Sequence, residues 1–228
     1  MRPALALVVL AAMTLAVAQA FCNTMSTIPV AYIGCSNSSL AVDGYHMDGG
    51  TRMWPATKAY NGGTVLNWTK PGTRYWAAFD HLNAIYPGAT QLWFQPCVKS
   101  GESPTNSILA ACQIVATAKL KIPGVTVYVS ALSEYASGYG VRSEVATSEA
   151  IRDDLVLSGV ALAGPRMPLM TGSLLRPDGV HPNEAGSLRL GKTLLGFLRR
   201  LRSTRPSKSG RRCRPTMGTP TRHSVGGP

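Results

Sequence analysis

The chain has 228 residues, of which 45% are hydrophobic and 15% charged, and its formal net charge is +12. This apolar content supports one globular domain with a sizeable core. After the N-terminus, no segment approaches the roughly 20 apolar residues that a membrane span needs, so the sequence predicts no span in the mature chain.

The positive charge is concentrated at the C-terminus. Nine of the 23 lysine and arginine residues lie from Arg199 onward, with no acidic residue among them. The rest of the chain is close to neutral, which argues against a specific nucleic-acid binder. Residues 202–228 are rich in Ser, Thr, Pro and Gly and are predicted to form a disordered basic tail. This tail is either solvated without a specific role or weakly attracted to anionic surfaces.

The N-terminus has the pattern of a secretory signal. Arg2 precedes an apolar run at residues 5–17, and residues 18–20 have the small-x-small pattern of a signal peptidase site. We expect residues 1–20 to be removed, and the mature domain, residues 21–201, to be secreted or held in the periplasm or cell envelope. An uncleaved N-terminal anchor is the alternative. In an exported chain, the five cysteines allow up to two disulfides and leave one thiol over.

Strand and helix patterns alternate along the chain. In order, they predict a strand at 30–34, a loop at 36–71, a helix at 74–86, a strand at 90–95, a helix at 107–120, a strand at 125–130, a helix at 148–158, a short strand at 168–173 and a helix at 184–201. The strands are nearly all apolar, as strands covered on both faces are. The alternation therefore predicts an α/β domain whose mostly parallel sheet has helices on both faces.

A small polar motif, Gly34-Cys35-Ser36-Asn37-Ser38, follows the first predicted strand. In open parallel sheets, ligands bind beyond the carboxyl ends of the strands, and Ser36 lies just past such an end. The motif has two interpretations. It is a polar turn without chemistry, or it presents a serine nucleophile, provided that a base and an orienting acid occur elsewhere.

A carboxylate and an imidazole precede the last predicted helix. Asp178 stands three residues before His181, and Pro182 disfavours helical geometry at His181. An aspartate in this position can fix the imidazole tautomer and leave the other ring nitrogen to accept a proton from a serine hydroxyl. The alternative is an ordinary turn before a helix capped by Asn183. The serine motif after the first strand comes earlier in the chain than this Asp-x-x-His motif. The presence of both motifs, in that order, favours the catalytic interpretation over the ordinary turn.

Together the two motifs resemble the SGNH hydrolases, also called GDSL-type esterases or lipases. That family opens with Gly-Asp-Ser-x-Ser after its first strand and closes with Asp-x-x-His before its last helix. The resemblance covers residues 30–198. It implies a flavodoxin-like three-layer α/β/α sandwich, with Ser36 as nucleophile, His181 as general base and Asp178 as its orienting acid.

The sequence departs from the family pattern at two places. Cys35 replaces an aspartate that is not a triad member, and no asparagine follows the second strand where the family has an oxyanion donor. Loss of one such donor costs about 10²–10³ in rate, or roughly 3–4 kcal/mol. We expect the Ser36 backbone N–H to serve as a donor. Candidates for the remaining positions are Gln95, Lys99, Gly62 and Gly63.

The two departures suggest a link between Cys35 and Cys97, because each follows one of the first two strands. If those strands are neighbours, a Cys35–Cys97 disulfide would lock the nucleophile loop to the oxyanion loop. A competing hypothesis makes Cys35 the nucleophile, but the family register puts Ser36 in that position.

No phosphate loop, dinucleotide fingerprint or zinc pattern occurs in the sequence, so we expect no cofactor and no metal. The histidines other than His181 have no ligand-like partners at metal spacing. Trp54 and Trp68, in the predicted loop, either stack on sugar rings or pack in the core, whereas Trp76 and Trp93 are expected in the core.

We therefore predict a secreted serine esterase that hydrolyses a small acyl ester, such as acetyl on a carbohydrate, through an acyl-enzyme on Ser36. Its partner is then a small-molecule or carbohydrate ester. The competing hypothesis is a catalytically inactive SGNH-like domain that binds glycan or another surface polymer. The missing asparagine and Cys35 favour that second hypothesis.

Overall fold

The structure is a computed structural model that describes residues 28–70, 72–140 and 142–203. The predicted signal segment and nearly all of the predicted basic tail lie outside these residues. In the described part of the chain, no helix combines the length and apolar character needed to cross a membrane.

A parallel sheet lies at the centre of the described chain. Its strands are β1 (Val30–Ile33), β2 (Gln91–Phe94), β3 (Thr126–Val129) and β4 (Leu162–Ala163), hydrogen-bonded in that order. Met53 forms an isolated parallel bridge with Val30. Since β2 pairs with β1 on one side, this bridge places the Met53 segment on the opposite side of β1, in the position of one further strand. With it, the spatial order is the 2-1-3-4-5 of flavodoxin-like sheets.

Six α-helices surround this sheet in the described residues. They are α1 (Ser36–Met47), α2 (Val65–Trp68), α3 (Arg74–Ile85), α4 (Pro104–Lys121), α5 (Arg142–Leu157) and α6 (Glu184–Ser203). Helix α1 packs against α6, whereas α4 packs against α2 and α5. The predicted fold class, an α/β/α sandwich with a parallel sheet, is confirmed. The helices expected near residues 74, 107, 148 and 184 are also confirmed.

Two predictions of local structure are wrong. Residues 36–71 were expected to form a loop, but they contain α1, α2 and a short 3₁₀ helix at Lys58–Tyr60. The strand expected at 168–173 is reduced to a bridge between Met170 and Tyr135, and the fourth strand lies earlier, at Leu162–Ala163. The serines, asparagine and glycine of α1 have low helix propensity, so tertiary packing rather than local preference stabilises this helix.

The structure decides between the two alternatives for the loop tryptophans in favour of the core. Trp54 and Trp68 are each only 1% exposed, so neither can stack on a sugar ring. The Trp68 ring packs between the rings of Tyr60 and Trp76, and its indole N–H donates to the Gly34 carbonyl at 3.0 Å. Through this hydrogen bond, Trp68 holds the backbone directly after β1 in place. Trp93 is buried, as predicted.

Helix α1 contacts α6 through backbone atoms. A Cβ atom at Gly44 would overlap the Ser187 carbonyl, and one at Gly191 would overlap the Gly44 backbone. Both helices start beyond the carboxyl ends of strands and run in the same direction. Their close contact therefore brings the N-terminus of α1 next to the loop that precedes α6.

We predict that Gly44→Ala lowers the free energy of unfolding by about 1–3 kcal/mol, because the added methyl group forces the two helices apart. The matched control is Gly196→Ala. A Cβ at Gly196 in α6 would approach only the Arg200 guanidinium, at 3.7 Å. In that helix interior, alanine should raise stability by roughly 0.5–1 kcal/mol. Urea unfolding measures the free energy of unfolding of both variants. Equal changes in the two variants would contradict the close backbone contact between α1 and α6.

Candidate active site

Ser36 is the first residue of α1, directly beyond β1. The Ser38 hydroxyl accepts a hydrogen bond from the Cys35 N–H at 3.1 Å and donates to Gln95 Oε1 at 2.8 Å, which fixes the start of the helix. Backbone N–H groups in the first turn of a helix have no intrahelical acceptor, and the helix dipole favours negative charge there. The Ser36 hydroxyl therefore stands at an electropositive helix end.

The loop before α6 brings His181 to this serine. Ser36 Oγ lies 2.9 Å from His181 Nε2, and His181 Nδ1 lies 2.9 Å from Asp178 Oδ2. An ionised carboxylate only accepts hydrogen bonds, so Nδ1 must carry the imidazole proton. In the neutral imidazole, Nε2 is then the unprotonated nitrogen and can accept the Ser36 hydroxyl. The structure thus brings together the three residues that the sequence singled out.

Asp178 is held in its ionised form by the turn it occupies. Its Oδ1 accepts the backbone N–H groups of His181 at 2.8 Å and Val180 at 2.9 Å. These bonds, the one from the His181 N–H first, and the bond to the imidazole lower the pKa of Asp178 to about 2. One oxygen therefore orders the loop while the other holds the imidazole.

A disulfide joins Cys35 to Cys97, with their Cα atoms 6.1 Å apart. This is the pair hypothesised from the sequence, and it connects the loops after β1 and β2. The bond leaves Cys35 without a thiol, which removes the alternative in which Cys35 attacks the substrate. The Val65 N–H donates to the Cys97 carbonyl at 2.8 Å, so the short helix α2 is tied to the same point.

The sequence candidates for oxyanion donors differ in their surroundings. The Gln95 side chain is buried: its Oε1 accepts the Ser38 hydroxyl at 2.8 Å, and its Nε2 donates to the Ala131 carbonyl at 3.3 Å, so it has a structural role between these segments. The Gly63 N–H is likewise engaged, by the Tyr60 carbonyl at 2.9 Å. The Gly62 N–H, in contrast, donates to no described residue.

An open cleft of about 570 Å³ lies beside Ser36 and His181. Besides those two residues and Asp178, its lining includes Asp43, Thr57, Lys58, Asn61 and Arg176. The sequence reading missed these residues, although Asn61 directly precedes the Gly62-Gly63 pair that it singled out. The charged groups lie on three separate segments of the chain, and only the fold brings them to one cleft.

The comparisons with known proteins found structural similarity to solved structures only. No family model and no curated protein matches the sequence. One crystal structure aligns with a TM-score of 0.50 at 13% identity, over 77% of this chain and 98% of that chain. A carbohydrate esterase family 3 structure from Talaromyces cellulolyticus gives a TM-score of 0.47 at 15% identity, over 77% and 98% of the two chains.

A structure titled as a peptidoglycan O-acetylesterase in action aligns with a TM-score of 0.46 at 14% identity. That alignment covers 63% of this chain and 45% of the other, so this chain spans less than half of that protein. At identities this low, the alignment with a TM-score of 0.50 supports the α/β fold alone.

We predict that replacing both Cys35 and Cys97 by alanine lowers the free energy of unfolding by on the order of 4 kcal/mol, because the bond closes a chain segment with a sequence separation of 62. The control is Cys112→Ala, which removes the free cysteine of α4 and should change stability far less. Guanidinium unfolding under non-reducing conditions measures both. A double variant as stable as the wild type would contradict the assigned bond.

The position of Asp178 also predicts the pH dependence of any activity that uses this site. Since its pKa is about 2, Asp178 stays charged as the pH falls from 8 to 4 and loses its charge only near pH 2. Asp178 should therefore contribute no protonation step to log kcat/KM between pH 8 and pH 4. A slope steeper than one anywhere in this range would show that a second group is protonated there and would contradict the assigned hydrogen bonds of Asp178.

Proposed function

We propose that this protein is a serine esterase that forms an acyl-enzyme on Ser36. The observation that carries the proposal is the unbroken series of contacts from the Ser36 hydroxyl through His181 to Asp178, each 2.9 Å long. A polar turn without chemistry does not require a hydroxyl, an imidazole and a carboxylate to be aligned in this order.

In the proposed reaction, His181 Nε2 takes the Ser36 proton as Oγ attacks the ester carbonyl carbon. The tetrahedral intermediate collapses when the imidazolium returns this proton to the leaving alcohol oxygen. Water then attacks the acyl-enzyme with His181 as base, which releases the carboxylic acid and restores Ser36. Asp178 stabilises the imidazolium in both steps and stays ionised.

The negative charge on the intermediate needs donors that are already in place. We assign this role to the Ser36 backbone N–H, aided by the dipole of α1, and to the Gly62 N–H. The family's asparagine donor is absent after β2, where Gln95 has a structural role, so we expect a slower enzyme than one with three donors. A loss of one donor corresponds to about 10²–10³ in rate.

The cleft suggests the kind of ester. Its lining is mostly polar and charged, and it is open rather than a closed apolar tunnel. Such a site suits a short acyl group on a hydroxyl-rich alcohol, because Asn61, Lys58 and Arg176 can hydrogen-bond to hydroxyl or carboxylate groups. We therefore propose a small acyl ester of a carbohydrate. The Cys35–Cys97 disulfide supports a secreted or cell-envelope location, since such bonds persist in oxidising compartments.

Ser36→Ala is predicted to reduce hydrolysis of p-nitrophenyl acetate by at least 10³-fold, because it removes the attacking atom. The matched control is Ser158→Ala. The Ser158 hydroxyl, just beyond the end of α5, donates to the Asp154 backbone carbonyl and does not line the cleft, so its loss should leave turnover unchanged. The measurement is the initial rate of p-nitrophenyl acetate hydrolysis by equal amounts of folded wild type, Ser36→Ala and Ser158→Ala.

Turnover that survives in Ser36→Ala would refute the proposed mechanism. Wild-type protein that binds acetylated oligosaccharides without hydrolysing them would instead support the competing inactive binding domain. Both outcomes are read from the same protein preparations.

A further inference from the structure

Tyr135 lies on the segment after β3, between the two loops that carry Ser36 and His181. Its backbone is held by the neighbouring segment: the Ala136 N–H donates to the Met170 carbonyl at 2.9 Å, and the Met170 N–H donates to the Glu134 carbonyl at 2.8 Å. The backbone around Tyr135 is therefore held by the Met170 segment, and further along the same segment the Gly140 N–H donates to the Gly179 carbonyl at 3.0 Å.

The phenol hydroxyl of Tyr135 makes one hydrogen bond to each loop. Tyr135 Oη lies 2.9 Å from the Val180 carbonyl oxygen and 3.1 Å from Asn37 Nδ2. A carbonyl only accepts, so the hydroxyl must donate its single proton to Val180. It then accepts from the Asn37 amide, and the direction of both bonds is fixed.

The two partners of this hydroxyl are the immediate neighbours of the reacting residues. Asn37 follows Ser36, and Val180 precedes His181. We propose that Tyr135 is a positioning residue that sets the distance between the Ser36 hydroxyl and His181 Nε2. This inference rests on the proposed esterase function, because positioning matters only if the proton is transferred.

The Asn37 side chain has an unpaired acceptor, which supports the positioning role of Tyr135. Its Oδ1 is buried and has no hydrogen-bond partner among the described residues. An unpaired buried acceptor costs free energy, so a residue chosen for stability alone would be apolar here. The amide instead keeps its N–H on the Tyr135 hydroxyl.

Tyr135 can keep this arrangement over the whole pH range of an assay. Burial, the largest influence, raises the pKa of the Tyr135 phenol to about 12. The hydroxyl therefore remains protonated while His181 exchanges its proton, and the bridge does not titrate together with the reaction.

Tyr135→Phe tests the proposal, because it removes the hydroxyl and keeps the ring. The expected result is a fall of about 10–100-fold in kcat for p-nitrophenyl acetate with KM changed less than twofold, since a small misplacement of reacting groups acts on the chemical step. The control is Tyr139→Phe on the same segment. Tyr139 is 40% exposed, and its hydroxyl makes no hydrogen bond to a described residue. The substitution keeps the ring that packs near Gly172 and Gly179, so kcat should be unchanged.

A double-mutant comparison separates positioning from a general loss of packing. Once Tyr135→Phe has removed the hydroxyl, adding Asn37→Ala should lower kcat by less than twofold, because the shared bridge is already broken. Independent, multiplicative losses from the two substitutions would overturn the proposal. So would wild-type kcat in Tyr135→Phe.

A readout independent of turnover keeps this inference distinct from the esterase proposal. The side-chain ¹⁵N and ¹H NMR signals of His181 report its hydrogen bond to Ser36, and they should shift in Tyr135→Phe but not in Tyr139→Phe. If wild-type protein has no esterase activity, the function fails, whereas unchanged His181 signals in Tyr135→Phe overturn the role of Tyr135.

Discussion

The backbone contact between α1 and α6 is the constraint on which the rest of this structure depends. Gly44 lies directly against Ser187 and Gly191, where no side chain can stand between the helices. Because both helices start at the same edge of the parallel sheet, this contact brings their N-terminal ends together. Ser36 opens one helix, and His181 stands three residues before the other. The helix contact brings the two loops close together, and within the site Ser36 Oγ lies 2.9 Å from His181 Nε2.

Around that contact, each of the two loops of the candidate site is fixed by different chemistry. The serine side is held covalently through Cys35, and by the Ser38–Gln95 hydrogen bond. The histidine side is held electrostatically, because the Asp178 carboxylate binds both the loop backbone and the imidazole. This division suits the proposed roles: the nucleophile needs a rigid position and no charge, whereas the base needs a partner that stabilises its protonated form.

The sequence predicted the first three strands, four of the six described helices and the three residues at the centre of the candidate site, because apolar periodicity and short motifs are local signals. It did not predict α1, since Ser36 to Ser39 and Gly44 favour a loop when read alone. The contact with α6 that stabilises this helix comes from residues about 145 positions away. The hydrogen bonds of the Gln95 side chain were not predicted for the same reason, because its partners, Ser38 and Ala131, become neighbours only when β1, β2 and β3 pair.

The most direct measurement is covalent labelling of the folded protein with a fluorophosphonate, followed by peptide mass spectrometry. Such probes react with a serine whose hydroxyl is activated by an adjacent base. The account predicts a single adduct on Ser36 in the wild type and at least a hundredfold slower labelling in His181→Ala. Labelling at another residue, or labelling of Ser36 at the same rate without the imidazole, would contradict it.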